Sequence, residues 1–432
     1  MKTCISIHKA MLQGDGPVSI RGWVYRERGS SKFRFIVLRD ASNIIQCVVS
    51  KENVGDELFG LAKDLQVEAS VIIRGNIRKD ERAPSGFEID VEKIEIIGES
   101  DTFPITKDQS IEFLADKRHL WLRSRKMTAI LKIRSTVFGA IHAFFREKDF
   151  YEYTSPTFQS MQCEGGSTLF KVDYFGSPLF LAQTWQLYAE PAIFALEKIY
   201  TIAPSFRAEK SKTSRHLTEF WHAEMEVAWE DFDDLQDYAE ALLKRITHEV
   251  IKNNKAELEL LKRDIEKLKP VIDKPFLRMT YDEALKILKE KDKMDIEWGK
   301  DLRTIEEDNL TAHYDIPIIV TRYPKKVKAF YMKEASDNPD VVLGFDVLAP
   351  EGYGELIGAS EREEHLEKLE SNLKQQGEDL KKYEFYLDTR RWGSVPHCGF
   401  GMGVERVIAW ICGLESIKDA VPFPRTLTRS NP

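Results

Sequence analysis

Between residues 18 and 97 five runs, VSIRGWV, FRFIVLR, NIIQCVV, SVIIRGNI and FEIDVEKIEII, alternate apolar and polar positions with the period of β-strands. ENVGDELFGLAKDL, between the third and fourth, instead has helical spacing with acids near its start. Further on, MTAILKIRSTVFGAIHAFFREKDF predicts a long helix that stops before YEYTSPTF. Residues 231–270 form a charged, leucine-punctuated helical segment that Pro270 closes. From 276 onward strands and helices mix, and the apolar helix VERVIAWICGL follows a glycine-rich strand.

The stretch FRAEKSKTSRHLTEFWHAEMEVAW, 206–229, predicts a β-hairpin with an unusual polar face. Phe220, His222, Glu224 and Glu226 share one side of its second strand, opposite Trp221, Ala223, Met225 and Val227. The first strand, YTIAPSFRAE, puts Arg207 and Glu209 on one face, so the two strands present cations, carboxylates and one aromatic ring to the same space. A sheet face that merely meets water would have no use for Phe220 among its charges. Near the end, GFGMGVERVIAW carries glycines at 399, 401 and 403, with Arg406 in the first turn of the helix. They let the backbone approach a flat ligand, or they make a tight strand-to-helix turn. This is neither GxGxxG opening a βαβ unit nor the Walker A pattern.

A length of 432 residues implies two or three domains, and 42% hydrophobic with 31% charged residues is ordinary for a globular protein. No apolar run approaches the ~20 residues of a membrane span, and MKTCISIHKAMLQGDG lacks a signal-peptide core, so a cytoplasmic location is expected. Five scattered cysteines without a CxxC pair predict reduced thiols. A net charge of −8 argues against a general nucleic-acid coat protein. Between Arg21 and Arg39, however, six basic residues (Arg21, Arg26, Arg28, Lys32, Arg34, Arg39) surround Phe33 and Phe35, a composition suited to single-stranded nucleic acid or to a solvated edge over core phenylalanines. Three strands, a helix and two strands is also the order of an OB-fold barrel, a common oligonucleotide-binding module.

FRAE…RHLTEF resembles motif 2 of the class II aminoacyl-tRNA synthetases, GMGVER resembles motif 3, and the helix ending in DFYEYTSPTF, with Pro156, resembles motif 1. Their order behind an OB-fold is that of the aspartyl/asparaginyl/lysyl subgroup, and down to the closing FPRT the likeness is strongest to its archaeal-type asparaginyl branch. The resemblance implies an α+β chain: an OB-fold anticodon-binding domain over 1–100, a linker over 101–118, and a catalytic domain with an antiparallel sheet flanked by helices over 119–432. It implies ATP-dependent activation of L-asparagine and its transfer to tRNA(Asn), with Mg²⁺ as cofactor, in a homodimer. The rivals are an aspartyl enzyme, an asparagine synthetase paralogue, and an RNA-binding protein that kept the fold.

By the same resemblance, Arg207 grips the ATP α-phosphate, Glu209 accepts from the adenine amino group, and Phe220 and Arg406 sandwich the ring. Arg215 and His216 meet the γ-phosphate, while Asp346 and Glu355 are the magnesium carboxylates. Glu164 and Gln186 contact the substrate α-amino group. Ala189 in QTWQLYAE stands where aspartate enzymes carry a lysine, and Glu224 stands where they carry aspartate. With Arg362 as donor and Glu224 as acceptor, these residues imply an amide side chain. Two positions depart from the pattern: at Gly358 the aspartate enzymes have a metal-binding serine, and at Glu361 the family usually has glutamine. Phe35 would stack on the central anticodon base, flanked by Arg28 and Gln46.

Overall fold

The computed structural model describes residues 4–163, 168–211 and 213–431, in two compact units, Met1–Leu114 and Ala115–Pro432. The first begins with helix α1 (Ile7–Gln13), which Ser6 caps by accepting from the Lys9 N–H (3.3 Å) and which Gly14 ends at φ 79°. Seven residues are too few to register as a periodic pattern, so this helix was not expected. Strands β1 (Gly16–Gly29), β2 (Phe33–Arg39), β3 (Ile44–Ser50), β4 (Ser70–Lys79) and β5 (Phe87–Gly98) close a barrel in the order β1-β2-β3-β5-β4. Helix α2 (Lys51–Asp64) lies between the third and fourth strands, as the OB-fold requires. The alternation turns Ile20, Val24, Ile36, Leu38, Cys47 and Ile73 into the barrel core.

The second unit is built on eight strands: β6 (Tyr151–Glu152), β7 (Lys198–Phe206), β8 (Glu219–Ala228), β9 (Leu277–Thr280), β10 (Ile318–Thr321), β11 (Gly344–Ala349), β12 (Gly354–Glu361) and β13 (His397–Gly403). Their order is β9-β10-β11-β12-β13-β8-β7-β6. The interior pairs are antiparallel, as expected, but the outermost pairs, β9 with β10 and β7 with β6, are parallel. Around the sheet run helices α3 (Arg125–Glu147), α4 (Gln186–Leu196), α5 (Phe232–Asn253), α6 (Thr304–Thr311), α7 (Glu384–Arg391) and α8 (Val404–Cys412). Ile130, Ile133, Val137 and Ile141 of α3 join Leu235, Leu242 and Ile246 of α5 and Val407 and Ile411 of α8 in one core against Ala223, Met225, Val227, Phe400 and Met402. The apolar side of β8 faces that core, which leaves its polar side to the opposite face.

Two expectations are corrected. Strand β7 stops at Phe206, so Arg207 and Glu209 lie in the following loop; the Ala208 N–H turns away to the Thr168 carbonyl (2.7 Å) and ends the ladder. Pro270 does not close the helical segment but sits in the first turn of a further helix, Lys269–Asp273, where its missing N–H has no partner to lose. Among the described residues no helix is long and apolar enough to cross a membrane.

Candidate active site

Strand register builds the floor of the site. Glu224 pairs with Gly401, Gly401 with Gly358, and Gly358 with Asp346, so one row across four strands has a carboxylate at each end and two glycines between. The glycines serve neighbouring side chains as well as open space. A Cβ on Gly399 would stand 2.3 Å from the Glu226 carboxyl carbon, and one on Gly401 would stand 2.4 Å from Nε2 of His222. These two glycines therefore hold Glu226 and His222 flat on the sheet, a role distinct from the approach to a flat ligand.

One pocket, about 670 Å³ of empty space, gathers all seven residues expected around ATP: Arg207, Glu209, Arg215, His216, Phe220, Glu355 and Arg406. The Arg207 guanidinium lies 5.5 Å from the Phe220 ring centroid, and Arg406 Nη1 donates to the Glu355 carbonyl (2.7 Å). Arg215 Nη2 donates to both Asp308 oxygens of α6 (2.9 Å each) and to the Gly352 carbonyl. His216 Nε2 lies 3.4 Å from Glu209, and burial together with Arg406, Arg207 and Arg215 pulls its pKa below the usual histidine range.

A second cavity adjoins the first and shares Arg207, His222, Glu355 and Gly401 with it. Gln186, Glu224, Arg362 and Asp346 line it too. Glu224 accepts from the Thr184 hydroxyl and from the Trp185 N–H (3.0 Å). Arg362 donates Nε (3.1 Å) and Nη2 to Glu226 and Nη1 to Ser360 (2.6 Å), and its guanidinium lies 5.1 Å from the Tyr331 ring centroid. Burial pushes the Glu226 carboxyl up, to about 7, against the pull of Arg362. Glu361, the departure beside Arg362, is matched by Lys333 (2.6 Å). Ala189 does not line the cavity: it is fully buried with Trp185, Ile193 and Val395. Glu164 lies outside the described residues.

The two expected metal carboxylates flank Gly358, whose added Cβ would lie 3.0 Å from Glu355 and 3.7 Å from Asp346. The Cβ of a serine there would press on the end of the Glu355 side chain and make only ordinary contact with Asp346. Lys328, hidden to sequence reading in the lysine-rich run KKVKAF, donates to Asp346 (2.8 Å). Even so, burial and the nearby Glu355 raise the Asp346 carboxyl to about 6. Glu307 of α6 is a third acid here, pushed up to about 8 by burial and by Glu355 and Asp346. Thr184 and Lys328 were missed as cavity residues, because no period marks residues that reach a cavity from separate segments.

On the barrel, Arg28 pairs with Phe35, Phe35 with Val48, and Gln46 with Val37, so all three expected anticodon residues occupy one face. The Arg28 guanidinium lies 5.4 Å from the Phe35 ring centroid. Gln46 is buried and donates Nε2 to Glu88 (3.0 Å). Two cations of the basic run are engaged elsewhere, Arg34 by Glu27 and Arg39 by Glu68.

Residues 110–427 match the family described as tRNA synthetases class II (D, K and N), and residues 18–97 match the OB-fold nucleic acid binding domain. The asparagine-tRNA ligase of Thermoplasma acidophilum is 48% identical over 415 residues, 96% of each chain. The crystal structure of asparaginyl-tRNA synthetase from Pyrococcus horikoshii complexed with asparaginyl-adenylate superimposes with a TM-score of 0.96 at 44% identity, covering 100% of both chains. The Entamoeba histolytica asparaginyl-tRNA synthetase in complex with asparaginyl-adenylate gives 0.88 at 31% identity, covering 96% of this chain and 97% of that one.

Proposed function

The chain belongs to the class II tRNA synthetases (D, K and N), and from that membership we infer that it attaches L-asparagine to tRNA(Asn) using ATP. The observation that carries this reading is the meeting of two cavities at Arg207: one able to take a nucleotide, the other ending in Glu224 and Arg362. A substrate carboxylate in the second would face an α-phosphate in the first. Its oxygen attacks the α-phosphorus, the bond to the bridging oxygen of the β-phosphate breaks, and pyrophosphate leaves. A ribose hydroxyl at the tRNA 3′ end then attacks the adenylate carbonyl carbon, and AMP leaves.

In our reading no side chain forms a covalent intermediate. Arg207 binds the α-phosphate and substrate carboxylate, Phe220 and Arg406 hold the adenine between them, Glu209 accepts from its amino group, and Arg215 and His216 bind the γ-phosphate. Gln186 contacts the α-amino group, and Arg362 and Glu224 read the side-chain amide. Asp346 and Glu355 would hold Mg²⁺, which supplies charge neutralisation to the phosphates. Support comes from the meeting of these two carboxylates beside Gly358 in the cavity, and from the habit of Mg²⁺ of taking one or two carboxylates plus phosphate oxygens. No group of three or more ligating side chains is found among the described residues, and this mode of binding does not call for one. Arg28, Phe35 and Gln46 contact the anticodon.

The proposal extends to a cytoplasmic homodimer with the segment around Pro156 in its interface. Support comes from the sheet edge at β6, where Tyr151 is 59% exposed and nearby Phe158 46%. An active monomer by light scattering at micromolar concentration would contradict the dimer. For the activity, incubation with ATP, asparagine and tRNA(Asn) should release AMP and pyrophosphate and leave asparagine esterified to tRNA; amide synthesis from aspartate and ammonia would contradict it.

A further inference from the structure

Behind the amino-acid cavity lies a cluster with no part in the steps above. Glu190, on α4, is fully buried, and Gln186, one turn earlier, donates Nε2 to its Oε1 (2.9 Å). Three more groups hold Glu190. The Tyr386 hydroxyl lies 2.8 Å from both carboxylate oxygens, Arg390 Nη2 donates to Oε2 (2.6 Å), and His397 Nε2 lies 3.0 Å from Oε2. Arg390 is anchored in turn, its Nε donating to the Glu363 carbonyl (3.0 Å). Burial disfavours the charge on Glu190, but Arg390 and His397 outweigh it and hold the carboxyl well below its usual range.

An ionised carboxylate only accepts hydrogen bonds. The Gln186 amide therefore has one allowed orientation: its NH₂ goes to Glu190, and its carbonyl oxygen is the atom it offers to the cavity it lines. A glutamine free to rotate would present NH₂ half the time and repel an ammonium group. We propose that Glu190 is a positioning residue that locks Gln186 as an acceptor for the α-ammonium group of the amino-acid substrate, a proposal that rests on the amino-acid activation read above. Arg390 balances the charge of Glu190, so Glu190 acts by orientation and is not itself the counter-ion of the substrate.

The test is pyrophosphate exchange without tRNA, on the full chain, varying asparagine at saturating ATP and ATP at saturating asparagine. Glu190→Gln should raise KM for asparagine by about 10-fold or more, the usual loss for a hydrogen bond to a charged group, and leave KM for ATP within about twofold. Because that variant strands the Arg390 charge, Glu190→Gln/Arg390→Met removes both charges and is held to the same criterion if the single variant does not fold. A folded variant with the wild-type KM for asparagine, or with both KM values raised together, would overturn the proposal by reducing the cluster to a structural role. Wild-type protein that exchanges with no asparagine would overturn the activity itself; normal wild-type exchange beside an unaffected variant would overturn only the role of Glu190.

Discussion

Replacing Glu224 by glutamine removes one negative charge from the amino-acid cavity with little change of shape. The glutamine carbonyl can keep the Trp185 N–H that Glu224 now accepts (3.0 Å), and its NH₂ can turn to the Thr184 hydroxyl oxygen, which is able to accept. Arg362 already gives two nitrogens to Glu226 and one to Ser360, so its charge is largely matched. Glu224 is then the group that makes the cavity hostile to a second substrate carboxylate. At about 5 Å and an effective dielectric near 20, one such charge is worth roughly 3 kcal/mol, on the order of 100-fold. Pyrophosphate exchange with asparagine and with aspartate should show the ratio of their kcat/KM values falling by that order in Glu224→Gln, through loss with asparagine and gain with aspartate. A folded variant whose ratio stays within about threefold of wild type would refute the assignment.

Phe35→Ala should weaken tRNA charging by the worth of one base stack, ~1–3 kcal/mol, without altering pyrophosphate exchange; equal loss of both would make the barrel face structural. Gly401→Ala drives a methyl group to 2.4 Å from the His222 ring, so it should cost ~1–3 kcal/mol of stability and slow exchange, whereas wild-type melting and rate would contradict the close packing. Glu307 has its carboxyl raised from the usual carboxylate range to about 8, so the fold favours its protonated form. The stability this confers is full below the unfolded value and lost as pH rises through the folded one. The melting temperature of wild type should accordingly fall between about pH 5 and 8 by more than that of Glu307→Gln, and parallel curves would contradict the shift.

Strand alternation made the barrel legible, because each of its strands buries one face. It also made β8 legible, whose Phe220, His222, Glu224 and Glu226 share a face that no solvated strand would build. What the alternation does not carry is the end of β7, decided by the Ala208 bond to Thr168, which is remote in the chain. Lys328 and Glu307 escaped notice for the same reason: they reach the carboxylate cluster from segments whose local pattern is that of ordinary charged surface. At Ala189 the sequence offered only a missing lysine; the side chain is buried in the core, and its neighbour Glu190 carries the polar contacts.

The most direct test of the account is ATP–pyrophosphate exchange by the wild-type protein with asparagine and with aspartate in parallel, in the absence of tRNA. Exchange with asparagine and little or none with aspartate is the expected result. Exchange that runs equally or better with aspartate would contradict an amide pocket built from Glu224 and Arg362.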